Sequence, residues 1–395
     1  MKGRLSVAVA VAVFIALFVG SAHAEAKMET GKKEYVGSQT CEKCHKIQYE
    51  SWKEAYHSKM VRKPAEGILK AVVEKWATDG ATPGPATGNV TGKPFKMEDV
   101  VYVIGSNWKQ RFLVKDDTTG GYQFLDKQFN RMSGKWEKYG NKNDWDTMCA
   151  TCHTTGYRLT AYDPANPKGQ KAEWSELNIG CETCHGPGAV HVTSESKKDI
   201  WNFAGKSFEE KSLVCGYCHI RVENELYKSA QGSPREDLPA PKIGDTYKPS
   251  DDWRKWYPGH VVIPGVQPED KIDAEYAGDL KGLFVTDNAA KAIGVYSAGK
   301  HHQEYQEYLQ SAHYKKGVAG CIDCHSPHAT KKEARKDPKK TCAGCHDASY
   351  TFEKYMPGTG KTADNLFLRT HTFVKENADR KGGPTASGQP EYNKK

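Results

Sequence analysis

All twelve cysteines of this 395-residue chain fall into six copies of one pattern, C-x-x-C-H, and none is left over. Numbered in chain order, motifs 1 to 6 are Cys41–His45, Cys149–His153, Cys181–His185, Cys215–His219, Cys321–His325 and Cys342–His346. In this pattern the two thiols form thioether bonds to the edge of a porphyrin, and the adjacent histidine binds its iron from one side. The sequence therefore predicts six covalently attached haems c.

Every residue of chemical interest in a motif has one predicted role. The covalent attachment points are Cys41, Cys44, Cys149, Cys152, Cys181, Cys184, Cys215, Cys218, Cys321, Cys324, Cys342 and Cys345, and the proximal iron ligands are His45, His153, His185, His219, His325 and His346. A disulfide framework would not place histidine after every second cysteine, and a structural zinc site needs two C-x-x-C pairs for each metal. The regular pattern disfavours both alternatives.

The first 24 residues have the composition of a secretory signal peptide. Lys2 and Arg4 precede an apolar run from Leu5 to Val19, and Ala22 and Ala24 occupy both positions of an A-x-A cleavage site. The run is shorter than the roughly 20 apolar residues that span a bilayer, which disfavours an uncleaved anchor. We expect cleavage after Ala24, export to the periplasm or the cell surface, and no membrane span in the mature chain.

The charge of the chain is best understood together with its cofactors. The formal net charge is +8, and removal of Lys2 and Arg4 with the signal leaves +6. Each haem adds two propionates and about one positive charge at the oxidised iron, so six haems bring the total close to zero. The sequence shows no basic face and no recognition motif of the kind that binds nucleic acid. We therefore expect no nucleic-acid partner.

The predicted fold class is mainly α with much irregular coil and a small antiparallel β element, organised around the six haems. Alternation of apolar residues predicts strands over 100–104, 111–114 and 122–125, and aromatic residues at helical spacing predict helices over 44–60 and 301–315. The mean hydropathy of −0.74 is low for a chain of this length. We expect the macrocycles to take the place of a conventional apolar core.

The grouping of the motifs predicts two haem domains after the signal peptide of residues 1–24. The first, 25–235, holds motifs 1 to 4 with the β element at about 100–125, and the second, 252–381, holds motifs 5 and 6. A proline-rich stretch from Ser229 to Asp252 separates them. The polar tail 382–395 is expected to be disordered.

The remaining histidines supply candidates for the second axial ligand of each iron. Apart from the proximal ligands and His23 of the signal, the chain has His57, His191, His260, His301, His302, His313, His328 and His371. Eight candidates exceed six irons, so every iron can have two histidine ligands. The preferred distal ligands are His57, His191, His302, His313, His328 and His371, with His260 and His301 ranked below them.

Spacing limits which haem each of these histidines can serve. His45 and His57 are twelve residues apart on a predicted helix, about 18 Å at about 1.5 Å per residue, whereas two axial ligands face each other across one iron. Two closer pairs, His185 with His191 and His325 with His328, cannot wind around the rim of one macrocycle. Histidines just downstream of a motif should therefore bind haems of other motifs and hold the haems close together.

Several stretches of the chain resemble a known family. They are Tyr35 to Cys41 with Ser51, Trp52 and His57, Trp145 to Tyr157, Gly180 to His191, and His302 to His328. These resemble the multihaem cytochromes c grouped with the tetrahaem cytochrome of ammonia oxidisers, with hydroxylamine oxidoreductase and pentahaem nitrite reductase as more distant relatives. The resemblance covers most of residues 35–350.

This resemblance implies electron transfer through parallel and perpendicular haem pairs. Position by position, it also implies distal-ligand roles for His57, His191, His302, His313 and His328, whereas His371 and His260 match less clearly. His301 and His302 are adjacent, so at most one of them is expected to bind iron. Nitrite-reducing relatives carry a C-x-x-C-K motif at their catalytic haem, and this chain has none.

Two function classes follow from these observations. The favoured one is an electron carrier with six bis-histidine haems, serving anaerobic respiratory or extracellular electron transfer. Its expected partners are other cytochromes or a quinol-oxidising complex, and assembly into a homopolymeric filament is a variant of the same class. The alternative is an oxidoreductase acting on a small nitrogen or sulfur oxyanion at a haem whose distal site is open, with lysine or arginine nearby to stabilise charge.

Overall fold

The computed structural model describes residues 34–67, 72, 76, 87–88, 92–105, 108–115, 120–139, 145–163, 171–221, 223–228, 234–236, 242–256, 284, 294–328, 338–363 and 366–374. The predicted signal peptide, His260 and the predicted tail 382–395 lie outside these residues. None of the helices in the described ranges has the length and apolar character needed to cross a bilayer.

Short helices and short strands make up the described chain. The strands are β1 (Val61–Arg62), β2 (Val100–Ile104), β3 (Lys109–Lys115), β4 (Tyr122–Phe124), β5 (Lys127–Asn130), β6 (Lys135–Lys138), β7 (Thr154–Thr155), β8 (Arg158–Ala161), β9 (Lys171–Glu173), β10 (Glu176–Leu177), β11 (Glu223–Lys228), β12 (Pro234–Glu236), β13 (Gly358–Ala363) and β14 (Leu366–Arg369). The α-helices are Ser38–Cys41, Lys46–Glu54, Pro64–Gly67, Trp145–Met148, Ala150–His153, Cys181–His185, Ala189–Ser194, Phe208–Gly216, Glu304–Gln310, Ala312–Lys315, Cys321–Cys324, Pro338–Ala343 and Phe352–Tyr355, with 3₁₀ turns at Tyr56–Ser58, Met97–Asp99 and Trp253–Trp256.

An antiparallel sheet of six strands occupies the stretch between motifs 1 and 2. Its order is β1-β2-β3-β5-β6, with β4 paired to β3. In this register Val103 lies opposite Phe112. The three strands predicted from the sequence correspond to β2, β3 and β4, so the antiparallel β element is confirmed. The structure adds β1, β5 and β6 to it.

One glycine is required where β2 ends. Gly105 has a φ of +84°, in the left-handed region that L-residues with a side chain rarely adopt. An added Cβ there would lie 2.3 Å from the carbonyl oxygen of Lys109. The Gly105 amide also donates to the carbonyl of Met60 at 2.8 Å, which joins the segment after motif 1 to the sheet.

The six-stranded sheet is buried on both faces. Along β3, Phe112 and Val114 belong to one apolar cluster, with Val103, Phe129 and Trp136, whereas the intervening Leu113 belongs to the other, with Trp145 and Trp174. This alternation is the period of two that a strand imposes. The expectation that haems replace a conventional core is therefore wrong for this region. Residues 61–139 carry no motif, and their own aromatic and branched side chains fill the space.

Both predicted helices are shorter than expected because the backbone extends within them. The first, predicted over 44–60, ends at Glu54, where Ala55 has a ψ of 161°. The second, predicted over 301–315, begins at Glu304 and is interrupted at Ser311. The Ser311 hydroxyl accepts from the amide of Tyr314 at 3.2 Å and caps a new helix. Serine favours this capping position over a helix interior, which explains the break.

A third apolar cluster connects the segments that were predicted to form separate domains. Helix Phe208–Gly216 packs against helix Glu304–Gln310 around Trp253, which is fully buried, and Tyr305. The indole nitrogen of Trp253 donates to the carbonyl of Leu213 at 2.8 Å. Motifs 4 and 5 are thereby held close together. The division into two domains stays a prediction.

Candidate haem-binding sites

The motifs fold as helical turns. The amide of the motif histidine donates to the carbonyl of the first cysteine at 2.8 Å in motifs 1 and 6, 3.0 Å in motif 4 and 2.9 Å in motif 5. Motif 3 coincides with the helix Cys181–His185. Positions i, i+3 and i+4 share one face of a helix, so this winding brings two thiols and one imidazole to the same side.

Five motif histidines face a second imidazole ring from elsewhere in the chain. The ring centroids are separated by 6.2 Å for His45 and His191, 6.4 Å for His57 and His219, 6.1 Å for His185 and His328, 6.1 Å for His325 and His371, and 6.0 Å for His313 and His346. In each pair one ring belongs to a motif and the other is a predicted distal ligand. These separations lie within 0.4 Å of one another although the pairs come from unrelated parts of the sequence.

This common separation fits an iron held between two imidazoles. A metal–imidazole bond is about 2.0 Å long and the ring nitrogen lies about 1.1 Å from the ring centre, so two axial imidazoles on one iron have centres about 6.2 Å apart. Direct stacking would bring near-parallel rings closer, as in the 3.8 Å between Tyr217 and Tyr247. Near-perpendicular rings reach a similar separation in ordinary edge contacts, as in the 6.0 Å between Phe208 and Tyr314, so the comparison is decisive for the near-parallel pairs. The five pairs therefore have the geometry of bis-histidine haem sites.

Burial keeps several of these rings neutral, the form in which imidazole binds a metal. Burial, together with the charges of His219 and His325, lowers the pKa of His57 to about 4. Burial likewise lowers the pKa of His371 to about 4, although Glu304 opposes the shift. At neutral pH both rings have a nitrogen lone pair to donate.

Motif 2 has a different environment. His153 is half-buried, its Nδ1 is fully buried, and its ring centroid lies 6.0 Å from that of Trp145. Burial and the charges of Arg111 and His302 lower the pKa of His153 to about 4. His302 has a φ of +51°, and its Nδ1 contacts the Nδ1 of His301. His302 is thus among the charged groups that lower the pKa of His153, and its backbone lies in the left-handed region.

Hydrogen bonds join segments of different motifs. The amide of Cys181 donates to Ser38 Oγ at 3.0 Å, the amide of Cys321 donates to Ser212 Oγ at 3.2 Å, and the hydroxyls of Thr151 and Tyr217 lie 3.0 Å apart. These bonds join motif 1 to 3, motif 4 to 5 and motif 2 to 4. The thiols of the same motif pairs also shift one another's pKa: Cys41 with Cys181, Cys215 with Cys321, and Cys152 with Cys218. A thioether sulfur would be fixed at the edge of its porphyrin, so these contacts would bring porphyrin edges close together.

Comparison with known proteins identifies the class. A family described as "Cytochrome c554 and c-prime" matches residues 40–79 and 113–186, and a "Doubled CXXCH motif" matches residues 313–350. The chain is related to the multihaem c-type cytochromes. It binds haem c through C-x-x-C-H motifs, and the resemblance predicted from the sequence is confirmed.

Individual relatives in this class match the chain over part of their length. Cytochrome c nitrite reductase subunit NrfA of Nitratidesulfovibrio vulgaris is 25% identical over 272 residues, which cover 60% of this chain and 48% of the relative. Cytochrome c-554 of Nitrosomonas europaea is 25% identical over 210 residues, covering 50% and 62%. The chain thus spans about half to three-fifths of these relatives. The outer cell wall cytochrome OcwA has a similar fold, with a TM-score of 0.55 and 23% identity over 80% of this chain and 68% of that one.

Within the described residues, the predicted distal candidates have distinct locations. His57, His191, His313, His328 and His371 each lie opposite a motif histidine. The partner of His191, His328 and His57 is in each case a motif other than the one just upstream, as the spacing argument expected. The charge of His302 contributes to the lowered pKa of His153. The ring of His301 lies beside that of His302. His260 lies outside the described residues.

Two residues near the ligands were not predicted from the sequence. The ring centroid of Phe373 lies 4.6 Å from that of His313 and 5.9 Å from that of His371, so it bridges the predicted distal ligands opposite motifs 6 and 5. Glu304 contacts the motif 4 ligand His219. Neither residue belongs to a recurring motif, and both act through contacts between segments distant in sequence.

Proposed function

We propose that the chain is a hexahaem electron carrier in which every iron has two histidine ligands. The observation that carries this proposal is the set of five imidazole pairs at the separation expected for axial ligands of one iron. For the sixth haem, that of motif 2, we assign His302 as the distal ligand because it is the predicted ligand near His153. Haem, when bound, supplies an iron that takes up and releases one electron.

The protein contributes the order in which the haem sites adjoin. Hydrogen bonds link motifs 1 and 3, 4 and 5, and 2 and 4. Cys184 also raises the pKa of Cys215 and of Cys218, which supports motif 3 as a neighbour of motif 4. Phe373 links motifs 5 and 6. The resulting row is 1-3-4-5-6, with motif 2 joined to motif 4 as a side branch. Short gaps along such a row suit electron transfer between neighbouring sites.

The signal-like N-terminus bears on the location of the protein, and the histidine pairs bear on its assembly. The signal-like residues 1–24 support export to the periplasm or the cell surface, where other cytochromes or a quinol-oxidising complex are the expected electron donors and acceptors. The chain provides both ligands of each paired site itself. A homopolymeric filament would therefore not need to borrow a histidine across its subunit interface at those five sites.

Mass spectrometry and a redox titration of the purified exported protein test the proposal together. We expect a mass equal to the processed polypeptide plus six haems, and an uptake of six electrons per chain on reductive titration. Optical spectra should show low-spin iron, and nitrite, hydroxylamine and sulfite should not be turned over. A bare polypeptide mass, or fewer than six haems in fully matured protein, contradicts the proposal.

One observation favours the alternative of a catalytic haem at motif 2. The guanidinium of Arg111 is close enough to His153 to lower the pKa of that histidine, and the His302 ring also contacts His301. A cation beside a haem whose distal histidine has a competing partner is suited to binding a small oxyanion. A stoichiometric high-spin signal that responds to nitrite or sulfite would support this alternative over the carrier.

A further inference from the structure

The ring nitrogens that do not face the iron have different hydrogen-bond partners at different motifs. Nδ1 of His219 lies 3.1 Å from the carboxylate of Glu304. Nδ1 of His185, His191 and His371 lies 2.9 to 3.1 Å from a backbone carbonyl oxygen, that of Trp201, Ser196 and Arg369 respectively. Nδ1 of His153 and of His313 is buried and has no hydrogen-bond partner among the described residues. Of these six rings, that of His219 has the charged acceptor.

The contact between Glu304 and His219 is built into the fold. The amide of Tyr305, next to Glu304, donates to the carbonyl of His219 at 3.0 Å. The amide of Arg221 donates to the side chain of Gln306 at 2.9 Å. These bonds lie on both sides of the carboxylate contact, so helix Glu304–Gln310 is fixed against the segment that follows motif 4.

A carboxylate on Nδ1 changes the donor strength of a metal-bound imidazole. When Nε2 binds the iron, Nδ1 retains the hydrogen and donates it to the carboxylate, which increases electron density on the ring and raises the basicity of the ligand. A stronger donor stabilises Fe(III) relative to Fe(II) and lowers the reduction potential. Reduction adds one electron to the iron, supplied by the redox partner, and the proton remains between Nδ1 and the carboxylate.

Glu307 lies near the predicted ligand His371, but its carboxylate does not make the contact that Glu304 makes with His219. Its Oε2 lies 3.8 Å from Nδ1 of His371, beyond hydrogen-bond range. The Glu307 carboxylate accepts instead from Thr370 Oγ1 at 2.7 Å and from the amides of Ala298 and His371 at 2.6 and 2.9 Å. Nδ1 of His371 bonds to the carbonyl oxygen of Arg369, so the charged contact at His219 has no counterpart at His371.

We propose that Glu304 is a positioning residue that lowers the reduction potential of the motif 4 haem through His219. This inference rests on the proposed carrier function and adds a direction to it. Motif 4 lies beside motif 2, where the hydroxyls of Tyr217 and Thr151 are 3.0 Å apart. It also lies beside motif 5, where Ser212 Oγ accepts from the amide of Cys321 at 3.2 Å. Motif 4 is therefore the junction of the row. A haem at this position with a low reduction potential is a poor resting place for an electron, so the electron moves on to a neighbouring haem.

The variant Glu304→Gln tests the role of the charge. Glutamine keeps the length of the side chain and a neutral acceptor oxygen, so the fold and the hydrogen bond are retained while the charge is lost. In a spectroelectrochemical titration of the haem-loaded protein, we expect the reduction equilibrium of one haem to shift about tenfold towards Fe(II), equivalent to about 59 mV for one electron. The low-spin electron paramagnetic resonance signal of that haem should shift as well, and the other haems should keep their potentials.

A matched control and a second variant complete the experiment. Glu50→Gln removes the same charge from an exposed residue whose ion pair is with Lys53, and it should leave every potential in place. Glu304→Asp shortens the side chain and should shift the same haem in the same direction by a smaller amount. Its potentials test the proposal if Glu304→Gln does not incorporate its haems. The inference is overturned if neither variant at 304 shifts one haem selectively, while a wild-type protein without six low-spin haems would instead overturn the carrier function.

Discussion

The imidazole rings of His185 and His328 lie almost parallel, with an interplanar angle of 8° and centroids 6.1 Å apart. His45 with His191 and His325 with His371 are also closer to parallel than to perpendicular, at 25° and 33°. The two remaining pairs are nearly perpendicular, His57 with His219 at 85° and His313 with His346 at 88°. At the proposed bis-histidine sites, the orientation of the two ring planes would determine the splitting of the iron d orbitals, so we expect the pairs to fall into two spectroscopic classes.

This division predicts the low-temperature electron paramagnetic resonance spectrum of the oxidised protein. Near-parallel ligand planes give rhombic low-spin signals, and near-perpendicular planes give strongly anisotropic signals with one large g value. We expect three haems of the first kind, two of the second, and a separate contribution from motif 2. Spin quantification checks the ratio. A spectrum with only rhombic signals would contradict the perpendicular arrangement at motifs 4 and 6.

Replacement of a single distal histidine should open one iron. In His328→Ala the haem of motif 3 loses the ring opposite His185, so one haem should become high-spin while all six remain covalently attached. The measurement is spin quantification combined with the mass of the holoprotein. His260→Ala is the matched control, since His260 ranks below the preferred distal ligands, and it should leave all haems low-spin. If His328→Ala stays fully low-spin, another residue serves motif 3.

The buried carboxylate of Glu182 should contribute to stability as the anchor of the segment before motif 1. The residue is 2% exposed, and its two oxygens accept from the amides of Val36 at 2.9 and 3.1 Å, Gly37 at 2.8 Å and Gly188 at 2.7 Å. In Glu182→Gln one oxygen becomes an NH₂ group that cannot accept, so at least one amide loses its partner. We expect a loss of about 1–3 kcal/mol in the free energy of unfolding.

Thermal unfolding of the haem-loaded variants measures this effect. Glu50→Gln is the control, because it makes the same chemical change at an exposed helical position. It should unfold within about 0.5 kcal/mol of wild type. Equal stabilities for Glu182→Gln and the control would show that the Glu182 contacts do not hold the segment.

The sequence predicted the features that depend on short-range pattern. Alternation of apolar residues located β2, β3 and β4, and chain spacing excluded His57 from the haem of His45. The position of Ser311 was also readable as a helix cap, although the aromatic periodicity across it predicted one continuous helix. These inferences all depend on residues within a few turns of one another.

Features that depend on packing between distant segments could not be predicted in this way. Glu304 follows His219 by 85 residues, and no spacing rule relates a carboxylate to the ligand it will contact. The apolar clusters around the sheet were missed because overall hydropathy averages a polar haem-binding part with an aromatic-rich one. The pairing of each distal histidine with a motif likewise needed coordinates, since eight candidates and six irons allow many assignments.

The ion pairs around Arg254 give a test with a defined pH dependence. The Arg254 guanidinium donates to Asp252 at 2.8 Å and to Glu209 at 2.8 Å, and it thereby holds the segment of the buried Trp253 against helix Phe208–Gly216. The hydrogen bond and charge of Arg254 lower the pKa of Asp252 below its ordinary value of 3.8. Because the folded pKa is the lower one, the stabilisation is fully present above pH 3.8 and is lost as the pH falls through the folded value.

We therefore expect Asp252→Asn to destabilise the protein near pH 6 and to have no effect in strong acid. Both partners are about one third exposed, so solvent screening limits the loss to about 1 kcal/mol or less. Thermal unfolding of the holoprotein between pH 2.5 and 7, at constant ionic strength, provides the comparison (~0.5 pH steps suffice to follow one titrating group). Asp245→Asn changes an exposed carboxylate in the same segment. Its unfolding temperature should follow that of the wild type at every pH. A difference between Asp252→Asn and wild type that persists unchanged into acid would mean that the aspartate acts through packing and not through its charge.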